Sequence, residues 1–159
     1  MLAQDIAANM SKTLDVTLST DIAGQINSQA GTPFENAYKA AELTSDSSYV
    51  QGFLILPGEP CRLIEHSWIE VGDRIIDPTL PHLNIDGQEL FYFPAHCLSV
   101  AQMKAAYEEA KEDYPEDEPL PIYGAPPYEY YGDVMLGGAD YAAAYTAAEA
   151  KYKELLDNS

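Results

Sequence analysis

The chain has 159 residues, 47% of them hydrophobic, and its 26 acidic residues against 8 basic ones give a formal net charge of −18. This length and hydrophobic content predict one globular domain over residues 1–159, large enough to bury a core without disulfides. The charge repels phosphate groups, which excludes direct binding to nucleic acid or to an anionic membrane. It favours a protein partner with a basic surface, and a purely solubilising role for the acidity is the alternative.

Targeting, cysteine and cofactor signals are sparse in this sequence. The N-terminal stretch has no basic region before an apolar one, so no secretory signal is expected. The longest apolar run, Val50 to Pro57, is far shorter than the roughly 20 residues of a membrane-spanning helix. Two cysteines, Cys61 and Cys97, form no disulfide framework, so we predict a reduced, cytoplasmic protein. Without metal-binding spacings or a glycine-rich phosphate loop, no metal and no cofactor are expected.

The first part of the chain is predicted to be helical. Leu2, Ile6 and Met10 recur at helical spacing and predict a short N-terminal helix, and a second helix is expected from about Ser19 to Gln29.

A stronger helix signal follows. Thr32 as N-cap, Pro33 at the first helical position and Glu35 three residues after the cap predict a capping box and a helix to about Leu43.

The stretch from Tyr49 to Thr79 predicts three consecutive β-strands, separated by turn signals at residues 57–60 and at Gly72 and Asp73. A two-residue loop that begins with glycine sets the register of the strands that flank it. Val71 then faces Arg74, and the residues before and after them pair in turn.

This register places His66, Trp68 and Asp77 on one face of the sheet. Asp77 becomes the diagonal neighbour of His66, roughly 7–8 Å away between Cα atoms. An imidazole and a carboxylate so placed are two members of a nucleophile–base–orienter triad. A structural histidine satisfied by its neighbours is the alternative.

Further elements are predicted after this hairpin. Asp86 and Gly87 indicate a turn, and Leu90 to Phe93 is a fourth strand candidate that ends at Pro94. A second capping box at residues 99–102 begins a helix that is expected to reach about residue 112.

Residues 113–133 are rich in proline, tyrosine and acid and contain no basic residue, so they predict an extended surface loop. Acids around tyrosine rings suit an arginine-rich partner, whereas rings packed onto the core are the alternative. The candidate binding residues are Trp68, Glu116, Asp117, Glu118, Tyr123, Tyr128, Tyr130 and Tyr131. A C-terminal helix is predicted over residues 139–156, with a tyrosine-containing stripe that docks on the core.

The motif His66-Ser67-Trp68, a glycine-containing turn and Asp77-Pro78-Thr79 resembles the transglutaminase-like branch of the papain-like cysteine-enzyme superfamily. That family has His-Ala-Trp, a hairpin and then Asp-Pro-Thr, and its nucleophilic cysteine begins the helix before the sheet. The resemblance covers about residues 32–79. It implies an α+β fold in which a small antiparallel sheet of about four strands packs against several helices. It also implies His66 as the base and Asp77 as its orienter.

The expected nucleophile is missing from that helix start, where Pro33 stands in place of a cysteine. Thr32 could offer a hydroxyl, although the capping box would occupy it. Cys61 lies an odd number of residues before His66, so it points to the other face of an unbroken strand. Cys97 could approach the sheet from the side, or be a small buried hydrophobe.

Two functions follow from these features. The first is an acidic protein-binding or inhibitory module on a transglutaminase-like or papain-like fold without a nucleophile, for instance a viral or mobile-element protein that masks a basic or nucleic-acid-binding surface of its partner. The alternative is an active cysteine hydrolase or acyltransferase that uses Cys97 or Cys61 with His66 and Asp77.

Overall fold

The computed structural model describes residues 12–83 and 89–157 of the chain. Within them lie four α-helices, α1 to α4, which are Val16–Ile26, Pro33–Leu43, Val100–Asp113 and Ala139–Asp157. The β-strands of the same residues, β1 to β7, are Thr13–Leu14, Ser48–Leu56, Arg62–Val71, Arg74–Ile76, Phe91–Ser99, Tyr128–Tyr131 and Val134–Gly137. The predicted α+β class is therefore confirmed. The helix expected around Leu2, Ile6 and Met10 and the turn at Asp86 and Gly87 lie outside the described residues.

The main sheet has five strands in the order β1-β4-β3-β2-β5. Strands β2 to β5 pair in antiparallel fashion, as predicted, but β1 pairs in parallel with β4. The expectation of an all-antiparallel sheet of about four strands is thus corrected to a mixed sheet of five. A strand of two residues carries no alternating pattern, which is why the sequence did not reveal β1.

The register predicted from the β3–β4 turn is confirmed where these two strands pair. Val71 lies opposite Arg74, and Glu70 lies opposite Ile75. Gly72 has a φ of 60°, a conformation that glycine adopts without steric cost and that a two-residue hairpin loop beginning with glycine requires.

One face of the main sheet packs against the helices. Near β4, its residues Tyr49, Ile69 and Ile76 form a cluster with α1, α2 and α3. Near β5, Phe53 and Phe93 form a second cluster with α4 and the β6–β7 hairpin.

The opposite face of the sheet carries a third cluster. Val50, Leu54, Trp68 and Tyr92 pack together there, with Leu83 from the segment after β4.

Two predicted boundaries in the second half differ from the structure. Strand β5 does not end at Pro94 but continues to Ser99, because a bulge opposite residues 51 and 52 accommodates the missing N–H of the proline. The region predicted as an extended loop ends in a hairpin, since β6 pairs with β7 around Gly132. Proline is confined to residues before β6, which leaves Tyr128–Tyr131 free to pair.

The helix boundaries follow local hydrogen bonds. Helix α1 begins at Val16, earlier than predicted, because the Asp15 carboxylate accepts the N–H of Leu18. Thr32 is the N-cap residue of α2, but its hydroxyl donates to the Gln29 carbonyl, so the predicted capping box does not form. The second predicted box, at residues 99–102, is present.

Candidate functional site

The pair that the sequence singled out is formed. Nε2 of His66 lies 2.8 Å from Oδ2 of Asp77, and both side chains are buried, with 1% and 0% of their surface exposed. An ionised carboxylate can only accept, so the imidazole donates through Nε2. His66 lies in the middle of β3, and Asp77 follows the end of β4, as the turn register requires.

Asp77 is the centre of a wider hydrogen-bond network. Its Oδ2 also accepts from the Tyr92 hydroxyl at 2.8 Å, and its Oδ1 accepts the N–H of Thr79 at 2.9 Å. Its own N–H donates to the Ser19 hydroxyl of α1 at 2.9 Å. Burial together with the Asp77 carboxylate raises the pKa of Tyr92, so this phenol stays protonated and remains a donor. These contacts give the carboxylate a structural role whether or not it orients a base.

Trp68 belongs to this buried network rather than to a binding surface. Its ring stacks 6.2 Å from that of His66 and meets Tyr92 edge-on at 5.0 Å. Its indole N–H donates to Glu70, which in turn pairs with Lys12. Because Trp68 has no exposed surface, the prediction that it contacts a partner is corrected.

In the described part of the chain, the second ring nitrogen of His66 faces no nucleophile. Among residues 12–83 and 89–157, buried Nδ1 has no hydrogen-bond partner. Cys61 packs with Phe53 in the helix-side cluster, so it lies on the opposite face of the sheet from His66, as its odd spacing predicted.

Cys97 is also poorly placed to act as a nucleophile. On β5, Cys97 pairs with Val50 of the central strand β2, and Val50 pairs in turn with Trp68 of β3. His66 lies two residues before Trp68 on β3, opposite Gly52, so a whole strand separates it from Cys97. Cys97 is exposed, so the prediction that it is a small buried hydrophobe is corrected. Partial desolvation by its neighbours and the Glu70 carboxylate still raise the pKa of its thiol, which opposes formation of a thiolate.

The start of α2, where the family resemblance would place a cysteine, approaches a different part of the site. Asn36 donates to the Thr79 hydroxyl at 3.0 Å, which links the first turn of α2 to the Asp-Pro-Thr segment. Helix α2 nevertheless packs on the sheet face of Tyr49 and Ile69, opposite to the face of His66. Thr32, whose hydroxyl donates to Gln29, has no described contact with the imidazole.

The predicted acidic surface is exposed for the most part. We call residues 114–127 the acidic strap; in it Glu116, Asp117 and Glu118 are exposed, and 46% of the surface of Tyr123 is accessible. In strand β6, Tyr128 and Tyr130 are exposed, and Tyr130 reaches 73%.

Tyr131 is the exception among the predicted binding tyrosines. It faces inward and packs against Phe53, with 6% of its surface exposed. The prediction that Tyr131 contacts a partner is corrected, because side chains alternate along β6 and Tyr131 therefore points to the opposite side from Tyr128 and Tyr130.

Gln51 holds the acidic strap on the sheet, a role that sequence reasoning missed. Its side-chain N–H donates to the Ile122 carbonyl, and its oxygen accepts the N–H of Ile122, both at 2.8 Å. The same amide bonds to the Tyr49 and Tyr141 hydroxyls, and Gln51 is 1% exposed. A single polar residue in the apolar run of β2 was the available signal.

Two further properties bear on the chemistry of the described residues. No three histidine, cysteine or carboxylate side chains among them are grouped as a metal site needs. In the same part of the chain, no helix combines the length and hydropathy that crossing a membrane requires.

Comparisons of this chain with protein-family models, with curated proteins and with solved structures find no match.

Proposed function

We propose that this chain is an acidic protein-binding module that inhibits its partner by covering a basic or nucleic-acid-binding surface. Its scaffold, in this proposal, is a transglutaminase-like or papain-like core that has lost its nucleophile. A cytoplasmic protein encoded by a virus or a mobile element is the setting in which such masking is expected.

The order of elements supports the proposed ancestry. Helix α2 precedes the strands, β3 carries His66, and Asp77 follows the hairpin and bonds to the imidazole. The bond between Asn36 and Thr79 brings the helix start to the Asp-Pro-Thr segment. Against an active enzyme stand the proline at position 33, the unpartnered Nδ1 of His66 and the raised pKa of the Cys97 thiol.

The observation that carries the binding function is the state of the acidic strap. None of the strap carboxylates Glu116, Asp117 and Glu118 forms an ion pair within the described part of the chain. They stand beside exposed tyrosine rings on a backbone that Gln51 holds in place. Unpaired charges on an ordered backbone attract a basic partner with little ordering cost, which favours a binding role.

Displacement of DNA from a basic protein tests this function. A fluorescent DNA duplex is bound to linker histone, and the chain is added at low and at moderate salt. We expect the chain to release the duplex at low salt, because both polyanions compete for one basic surface. Direct binding of the chain to linker histone, measured without DNA, should weaken steeply as salt rises, because salt screens the attraction between exposed charges. Retention of the duplex at every concentration of the chain would contradict the masking function.

Matched charge variants distinguish an effect of the strap carboxylates from an effect of the net charge of the chain. The triple variant Glu116→Gln, Asp117→Asn, Glu118→Gln should need about tenfold more protein for half-release, the loss of roughly 1.4 kcal/mol. The control variant Asp21→Asn, Asp46→Asn, Asp73→Asn removes the same number of charges from exposed positions outside the strap. Equal losses in both variants would show that only net charge matters.

Thiol alkylation tests the loss of the nucleophile. In a Cys61→Ser variant, exposed Cys97 should react with iodoacetamide at a rate that rises with pH beyond pH 8, because partial desolvation and the Glu70 carboxylate raise its pKa. A fast rate that is constant between pH 6 and pH 8 would reveal a thiolate activated by a base, and would favour the hydrolase.

A further inference from the structure

A groove runs between the C-terminal half of α3 and the acidic strap. Ala106 and Ala110 of α3 form one side, and Pro119, Pro121 and Ile122 of the strap form the other. These five residues are all half-buried, so apolar surface is accessible along the groove. The cavity measures about 230 Å³, which is below the roughly 300–1,000 Å³ of sites for small molecules and cofactors. It suits a single long side chain.

The rim of this groove is acidic and aromatic. Its carboxylates are Glu109, Asp113, Asp117 and Glu118. Within residues 12–83 and 89–157, none of them is within ion-pair distance of a lysine, arginine or histidine. Tyr114 and Tyr123 also line the groove, with 65% and 46% of their surface exposed.

This combination matches one kind of side chain. An apolar floor accommodates a methylene stem, carboxylates at the rim attract a cation, and tyrosine rings offer faces on which a flat guanidinium can stack. Arginine has all three features, whereas the lysine ammonium is a more strongly hydrated point charge that does not stack as a plane.

We propose that this groove seats an arginine side chain from an extended basic segment of the partner. The inference rests on the proposed function and narrows the partner to one that presents arginine on a flexible segment. Gln51 fixes the strap side of the groove through Ile122, so the site exists before the partner arrives.

Binding of three matched peptides tests the arginine preference. The probe is a fluorescent peptide with arginines spaced by Gly-Ser pairs, and its versions replace every arginine by lysine or by uncharged citrulline. By fluorescence anisotropy, arginine should bind about 3- to 10-fold more tightly than lysine, a difference of about 0.7–1.4 kcal/mol, because the guanidinium plane stacks on the tyrosine rings. Citrulline, which lacks the charge, should bind more weakly than either.

A filled groove provides the structural control. Ala110→Leu adds an apolar side chain to the floor without any change of charge, and leucine is a good helix former. It should remove the preference for arginine over lysine while leaving the melting temperature close to that of the original chain. Ala150→Leu, on the exposed side of α4, is the matched variant that should keep the preference.

Two outcomes would contradict the proposal that the groove seats an arginine side chain. One is equal affinity for the arginine and lysine peptides, and the other is an unchanged preference for arginine in Ala110→Leu. Either would leave DNA displacement by the acidic strap intact, because displacement rests on the exposed strap carboxylates and needs no side chain seated in the groove. Conversely, a clear arginine preference without any displacement of DNA would contradict the masking function but support the arginine site in the groove.

Discussion

Asp77 is a residue on which several buried polar contacts converge. Its carboxylate accepts hydrogen bonds from His66, Tyr92 and the backbone of Thr79, and it is 0% exposed. A buried carboxylate with three donors resists replacement, because each donor left without a partner carries its own desolvation cost.

Replacing this carboxylate by an amide should therefore destabilise the fold. Asp77→Asn supplies only one accepting oxygen for three donors, so we expect the free energy of unfolding to fall by about 1–3 kcal/mol. Tyr92→Phe removes one donor and should lower it by only about 0.5–1.5 kcal/mol. Urea denaturation measures both values. An unchanged midpoint for Asp77→Asn would mean that the network contributes nothing.

His96 makes the stability depend on pH. It is half-buried beside the Tyr141 ring, and burial lowers its pKa, with Asp140 acting in the opposite sense. Below the unfolded-state pKa of about 6.5, the unfolded chain takes up a proton that the folded chain resists. The free energy of unfolding therefore falls as the pH drops from about 6.5 through the lower, folded-state pKa.

A variant without His96 isolates this contribution. From pH 7 to pH 5, His96→Phe should lose less stability than the original chain, because the proton uptake at this position is gone. His82→Gln, at an exposed position, keeps His96 and so separates the loss of this imidazole from the loss of a histidine elsewhere. Thermal melts at each pH measure the difference, and identical slopes for His96→Phe and the original chain would contradict the assignment.

Among the elements, the acidic strap is anchored by the buried Gln51 amide and, further along, by a bond of 2.8 Å from the Gly137 N–H to the Tyr123 carbonyl. Gln51 bonds to both backbone groups of Ile122, as a neighbouring strand would. The strap contributes few apolar side chains of its own, so loss of this anchor should loosen it without unfolding the sheet.

Hydrogen exchange can detect this loosening. Gln51→Leu leaves the N–H and C=O of Ile122 without partners, so we expect amide exchange to accelerate across residues 114–127. As a contrast, Ser99→Ala removes the α3 cap and should cost about 1 kcal/mol while leaving the strap protected. Equal protection of the strap in Gln51→Leu and the original chain would show that another contact holds it.

Local signals in the sequence sufficed for part of this fold. The turn at Gly72 predicted the β3–β4 register and the shared face of His66 and Asp77, because period and turn type act over a few residues. The parallel strand β1 and the bond from Gln51 to Ile122 depend on residues far apart in the chain. No spacing rule reaches across such distances, so these features required coordinates.

For the molecule as a whole, the net charge of −18 should oppose folding at low ionic strength. The Debye length falls from about 30 Å at 0.01 M salt to about 8 Å at 0.15 M. Screening should relieve the repulsion among carboxylates, so the melting temperature should rise over this range of sodium chloride. A fall in melting temperature would show that the few ion pairs outweigh the repulsion.

The central claim is that this fold presents a binding surface at the acidic strap and uses its His66–Asp77 pair for structure. The most direct test is an NMR titration of the isotopically labelled chain with an arginine-rich linker-histone tail peptide. We predict that chemical-shift changes concentrate in residues 106–130, with little change at His66 and Tyr92. Changes centred on His66, or spread evenly over all acidic residues, would contradict the account.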